Sequence, residues 1–132
     1  MTSEEATTIL RTDAVAQELL RSTIPSRLAY VWRDERPRVV PMWFHWTGEE
    51  FLMGAPPNAP KMKVLADHPS VAFTIDGNEW PYPVLSVRGL AFLRLVDHSA
   101  RPLRHNLLRI LVQRARLRDR LDALLHLRIS FQ

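Results

Sequence analysis

Two hydrophobic periods alternate along the chain. Between Asp13 and Arg21 the apolar positions Val15, Leu19 and Leu20 recur at helical spacing, and Thr12 or Asp13 offers a capping oxygen. That pattern predicts a helix. Pro25 ends it, and the period changes. Arg27 to Arg33, Arg38 to Trp46 and Phe51 to Gly54 are short runs of aliphatic and aromatic residues separated by turn sequences at Asp34–Pro37 and Thr47–Gly48. They predict three strands in an antiparallel meander. Pro41 falls inside the second run and removes a ladder donor, so this strand is expected at an edge, at a bulge, or facing something other than a strand.

Ala55 to Pro60 is a loop by composition, and Lys61 to Asp67 a short helix halted by His68 and Pro69. Val71 to Ile75 and Val84 to Val96 read as strands, the second bent at Gly89, with a turn-rich connection at Asp76–Pro83. From Pro102 the residues Leu103, Leu107, Ile110, Leu111, Leu117, Leu121, Leu124 and Leu125 lie on or near one helical face, which predicts an amphipathic helix over 101–125. Leu127 to Phe131 reads as a last strand, and residues 1–12 as a loose leader. Many short strands with few helices predict a mainly β single domain over 1–132, a small barrel of about six antiparallel strands with helices on its flanks.

Composition narrows the chemistry. The 132 residues contain no cysteine, which excludes disulfides, thiolate metal sites and cysteine nucleophiles. No apolar run approaches the roughly 18 residues of a membrane span, and no signal peptide is visible, so the expectation is a cytoplasmic protein without membrane contact. The first 100 residues hold ten basic and twelve acidic side chains, whereas the last 32 hold eight arginines against two aspartates. Those arginines flank a leucine stripe, as on a helix packed by one face, and no recognition motif or stacking aromatic accompanies them. Nucleic acid is therefore the disfavoured partner.

No nucleophile elbow, zinc-protease motif or phosphate-binding glycine loop is present, and the five histidines lack metal-ligand spacing. His45, beside Trp43 and Trp46, is the one histidine placed where a ligand could approach. Two segments carry more. Arg38 to Phe44 combines a leading arginine, the interrupting Pro41 and large residues after it, so its backbone groups are available to a planar polar heterocycle. Asn58 to Leu65 places Lys61 and Lys63, the two lysines of the chain, in the first turn of a helix. Cations oppose the dipole there, an arrangement that an anion bound among them would explain.

The order of these segments from Pro25 to Leu95, with Arg-Val-Val-Pro-Met-Trp-Phe at 38–44, the Asn58–Leu65 loop and helix, His-Pro-Ser-Val at 68–71 and Val-Arg-Gly at 87–89, resembles the pyridoxamine 5′-phosphate oxidase-like split β-barrels. The resemblance implies a homodimer that binds flavin in grooves between two barrels and passes hydride to or from a small-molecule substrate. Arg38 matches the arginine of the family's first flavin strand, and Val40, Pro41, Met42 and Trp43 the stretch along the ring. Lys61 matches a phosphate-contacting lysine, and Lys63 a second basic position. Trp80 and Tyr82 fall in a loop that lies near the cofactor in relatives.

FMN is the cofactor expected first, a deazaflavin such as coenzyme F420 is the alternative, and haem is disfavoured. Where the family has Ser-Arg before its lysine this chain has Ala59 and Pro60, which removes a hydroxyl, a guanidinium and one N–H from the expected phosphate cradle. Each lost charge-assisted contact costs about 1.5–3 kcal/mol. The residues usual for pyridoxamine phosphate recognition find no match, and Arg128–Phe131 resembles the family's closing strand. The alternative function is a flavin or haem binding protein of this fold without turnover.

Overall fold

The computed structural model describes residues 1–56, 58–96 and 105–119. Three helices, α1 (Ser3–Thr12), α2 (Ala14–Leu20) and α3 (Pro60–Asp67), accompany seven strands: β1 (Ser26–Val31), β2 (Pro37–Met42), β3 (His45–Trp46), β4 (Phe51–Ala55), β5 (Ser70–Asp76), β6 (Val84–Val96) and β7 (His105–Arg118). All strand pairs are antiparallel, in the order β2-β1-β5-β6-β7-β4-β3. The sheet curls into a half-barrel. Phe51 on β4 meets Phe73 on β5 at 4.8 Å although two strands separate them in the sheet. The Ser26 hydroxyl on β1 likewise lies 3.9 Å from the Met53 sulfur on β4. The concave face holds the core, with Leu28, Phe51, Met53, Phe73, Ile75, Leu85, Leu108 and Ile110 all buried.

The longest pairing is β6 with β7, which runs from Val84 opposite Arg118 to Val96 opposite His105. Its register slips once, between Arg88 and Gly89, and leaves Gln113 as the extra residue of a bulge. At that point the Leu111 carbonyl oxygen would lie 2.3 Å from a Cβ on residue 89, so only glycine fits. The predicted strand bounds and bend hold for β6.

Three expectations are corrected. Residues 1–12 are not a loose leader: α1 begins with a reciprocal capping box between Thr2 and Glu5, and it buries Ala6 and Leu10 in the core. The stretch expected as a basic amphipathic helix over 101–125 is a strand, β7, across its described part. Leu108, Ile110 and Val112 are buried in alternation, whereas Leu111 faces outward. Leucine doublets satisfy both periods, and thirteen paired positions with β6 override the helix preference of Leu and Arg. Third, the expected second strand divides at Trp43 and Phe44 into β2 and β3; with β7 this makes seven strands among the described residues. The expected strand at Leu127–Phe131 lies outside the described residues.

Among the described residues β7 pairs with β4 only from Asn106 to Ile110, and α1 packs against β7. Arg11 donates through Nε to the Gly48 carbonyl at 2.5 Å, and Arg109 holds Glu50 at 2.9 Å; both fasten the β3–β4 turn. The hydrogen bond and charge of Glu50 raise the Arg109 pKa. No helix among the described residues is long and apolar enough to cross a membrane.

Replacing Gly89 by Ala is expected to cost about 2–4 kcal/mol, because a backbone carbonyl must move. Urea denaturation measures it. A loss below about 0.5 kcal/mol would show that the bulge does not need glycine.

Candidate functional site

β2 is an edge strand, as the position of Pro41 predicts. Its inner neighbour β1 fixes the register, with Ser26 opposite Met42, Arg27 opposite Pro41 and Tyr30 opposite Arg38. The hairpin between them closes through Trp32 N–H to the Arg36 carbonyl at 2.9 Å, with Glu35 at a positive φ of 63°. Alternation then divides the segment. Met42 is buried and Val40 packs on the core, whereas Val39 and Pro41 face solvent. Val40 and Met42 can therefore offer a ligand their backbone but little of their side chains. Trp43, just past the strand, is 70% exposed.

Buried Ser26 anchors the end of β2 by donating its hydroxyl to the Met42 carbonyl at 2.8 Å. Lys61 reaches the same place from α3: its Nζ lies 3.3 Å from the Met42 sulfur. Among the described residues it forms no ion pair, so a half-buried ammonium rests on a thioether, a weak acceptor. α3 is held by buried Met62, Val64 and Leu65. Its N-cap, Ala59, makes no side-chain cap, and Pro60 occupies the first turn. Pro60 has no N–H, and the Met62 N–H donates to the Ala59 carbonyl at 3.1 Å. Lys63 is exposed. Two residues of α-helix turn a side chain by about 200°, so Lys61 and Lys63 diverge rather than ring one groove.

Arg38 and Lys61 are also separated. Arg38 and Met42 are four strand positions apart, about 13 Å. The Arg38 guanidinium stacks over Trp32 at 4.9 Å, toward the hairpin turn, and Arg33 covers the same ring at 5.3 Å. Trp32 was not singled out by the sequence pattern; its role follows from the hairpin register. Trp80 and Tyr82 meet edge to face at 5.3 Å in the β5–β6 connection, with Trp80 exposed. The registers place that connection at the end of the sheet where β2 finishes, since Arg27 stands opposite both Pro41 and Thr74, and Asp76 follows. Arg27 also binds both carboxylate oxygens of Asp76 at 2.6 Å. His45 is exposed on β3, opposite Leu52.

No protein-family model matches the sequence, and no curated protein shows significant similarity to it. Solved structures do share the fold. An F420 reductase is 23% identical, with 76% of this chain and 94% of that one covered at a TM-score of 0.65. A putative pyridoxamine 5′-phosphate oxidase from Listeria innocua is 19% identical over 76% and 93% of the two chains, also at 0.65. The haem storage protein HutZ from Vibrio cholerae is 16% identical over 83% and 94%, again at 0.65. The chain thus has the split-barrel fold of the pyridoxamine 5′-phosphate oxidase-like proteins.

Ser26→Ala is expected to lower stability by about 1–3 kcal/mol, because a buried hydrogen bond to β2 is lost. Trp43→Ala, at an exposed position, should stay within about 0.5 kcal/mol. Parallel urea titrations check both; equal losses would contradict the assigned burial.

Proposed function

We propose that the protein is a flavin-dependent oxidoreductase that works as a homodimer, with FMN lying along the edge of β2 and a small planar substrate beside the ring. The observation that carries this reading is the Lys61 ammonium, without an ion-pair partner among the described residues, held at the end of an edge strand. A cation so placed has a vacant role that a phosphate fills. The residues present therefore fit a phosphorylated ring.

In this reading the backbone of Val40, Pro41 and Met42 borders the ring, and exposed Trp43 excludes water from one side. Arg38, steadied by Trp32, supplies positive charge farther along the strand. Trp80 and Tyr82 provide an aromatic wall from the β5–β6 connection, and Lys63 contributes charge at longer range. The flavin supplies the hydride chemistry; the protein binds it, orients it and shields it. Val31, Val39, Phe92 and Leu111 project as exposed apolar residues from the strands, which supports pairing of two copies across the sheet. A deazaflavin is the alternative cofactor, supported by the fold shared with an F420 reductase.

A second reading, a flavin or haem binding protein without turnover, is favoured by one observation: Ala59 and Pro60 give α3 neither a capping oxygen nor a guanidinium. The fold shared with a haem storage protein agrees with it. Bound cofactor that no reductant or oxidant turns over would select this reading.

Fluorescence titration with FMN and with riboflavin tests the phosphate assignment. Lys61→Met should weaken FMN binding by about 10- to 100-fold and leave riboflavin binding unchanged. A protein that is colourless as purified and quenches neither flavin nor deazaflavin fluorescence would contradict the proposal. Sedimentation should give twice the chain mass, and a monomer at all concentrations would overturn the dimer.

A further inference from the structure

We propose that Arg88 and Arg114 form a second binding site, for the phosphate dianion of a small phosphorylated compound, outside the flavin site on β2. The two residues stand directly opposite each other across the β6–β7 pair. Like charges in that position repel and destabilise a sheet. Both are exposed, and among the described residues neither has a carboxylate partner. On α1, Glu5 is engaged by the Thr2 N–H at 2.7 Å, and Glu4 forms no ion pair among the described residues. Arg116 lies two residues further along β7 and adds a third positive charge.

The space between them is shaped. Arg88, Arg114, Gln113, Ser3 and Met1 line a cavity of ≈ 310 Å³. Gln113 is the extra residue of the bulge that Gly89 makes possible, and it lines the same cavity as the two arginines. Arginine, glutamine and serine side chains carry donors suited to phosphate oxygens, and the volume exceeds that of a bare phosphate. The bulge therefore does two things: it bends the barrel, and it places Gln113 beside a charge pair that an anion would neutralise.

The site's phosphate could belong to a separate small molecule or to the flavin itself, and the experiment separates them. Melting temperature is followed at low ionic strength as inorganic phosphate is added, first to flavin-free protein and then to protein saturated with FMN. Phosphate should raise the melting temperature saturably in both. Arg114→Gln should weaken that response about tenfold, whereas Arg116→Gln retains most of it. In phosphate-free buffer Arg114→Gln should melt no lower than the parent, because the repulsion is relieved; this also shows that it folds. An equal response in Arg114→Gln and the parent would overturn the proposal. So would a response that disappears once FMN is bound, which would assign the arginines to the cofactor's phosphate. The flavin-free arm needs no flavin binding, so its outcome is independent of the function proposed above.

Discussion

The pairing of β6 with β7 sets the geometry on which everything else rests. It is the longest ladder in the sheet, and it is kinked at one place where the Leu111 carbonyl occupies the space of a side chain at residue 89. A flat ladder of this length would hold β4 and β5 far apart. The bend lets the sheet curl until Phe51 and Phe73 touch, and the core then closes around those two rings. The curl also decides which strands end up as edges. Among the described residues β2 and β3 are the two edges of the sheet.

Seen from that edge, the candidate site is a division of labour within one strand. Inward residues of β2 anchor it: Met42 is buried, and Ser26 grips its carbonyl. Outward residues leave the edge accessible. α3, seated by three buried side chains, carries Lys61 to the strand's end. The stability of the core and the position of the ammonium are thus coupled through Met42, which serves both. Positive charge elsewhere is arranged differently. Arg38 and Arg33 both lie over the Trp32 ring, whereas Arg88 and Arg114 confront each other with no ion pair or cation–π contact among the described residues.

Most of the strands were readable because their apolar runs are short and bounded by Pro, Gly or Asp. Val84–Val96 and its bend at Gly89 are the clearest case. Pro41 likewise narrowed its strand to an edge, a bulge or a backbone facing something other than a strand, and the strand order selects the edge. The N-terminal helix was missed although Thr2 and Glu5 have capping-box spacing and Ala6 and Leu10 are four apart; the polar residues between them masked a narrow stripe. β7 was misread because Leu107–Leu108 and Ile110–Leu111 fit either period, and only the partner strand resolves the choice. At the site, residue types could be named from sequence, but directions could not. The divergence of Lys61 from Lys63 follows from helical rotation, and the capture of Arg38 by Trp32 depends on a hairpin register that contacts alone define.

The central claim, that a flavin lies against the β2 edge with its phosphate at Lys61, is tested most directly by the backbone amide spectrum of isotopically labelled protein with and without FMN. The account predicts that shifts concentrate in residues 38–43 and at Lys61, with the interior of β7 little changed. Flavin binding that leaves those amides unmoved and perturbs another face of the sheet would contradict it.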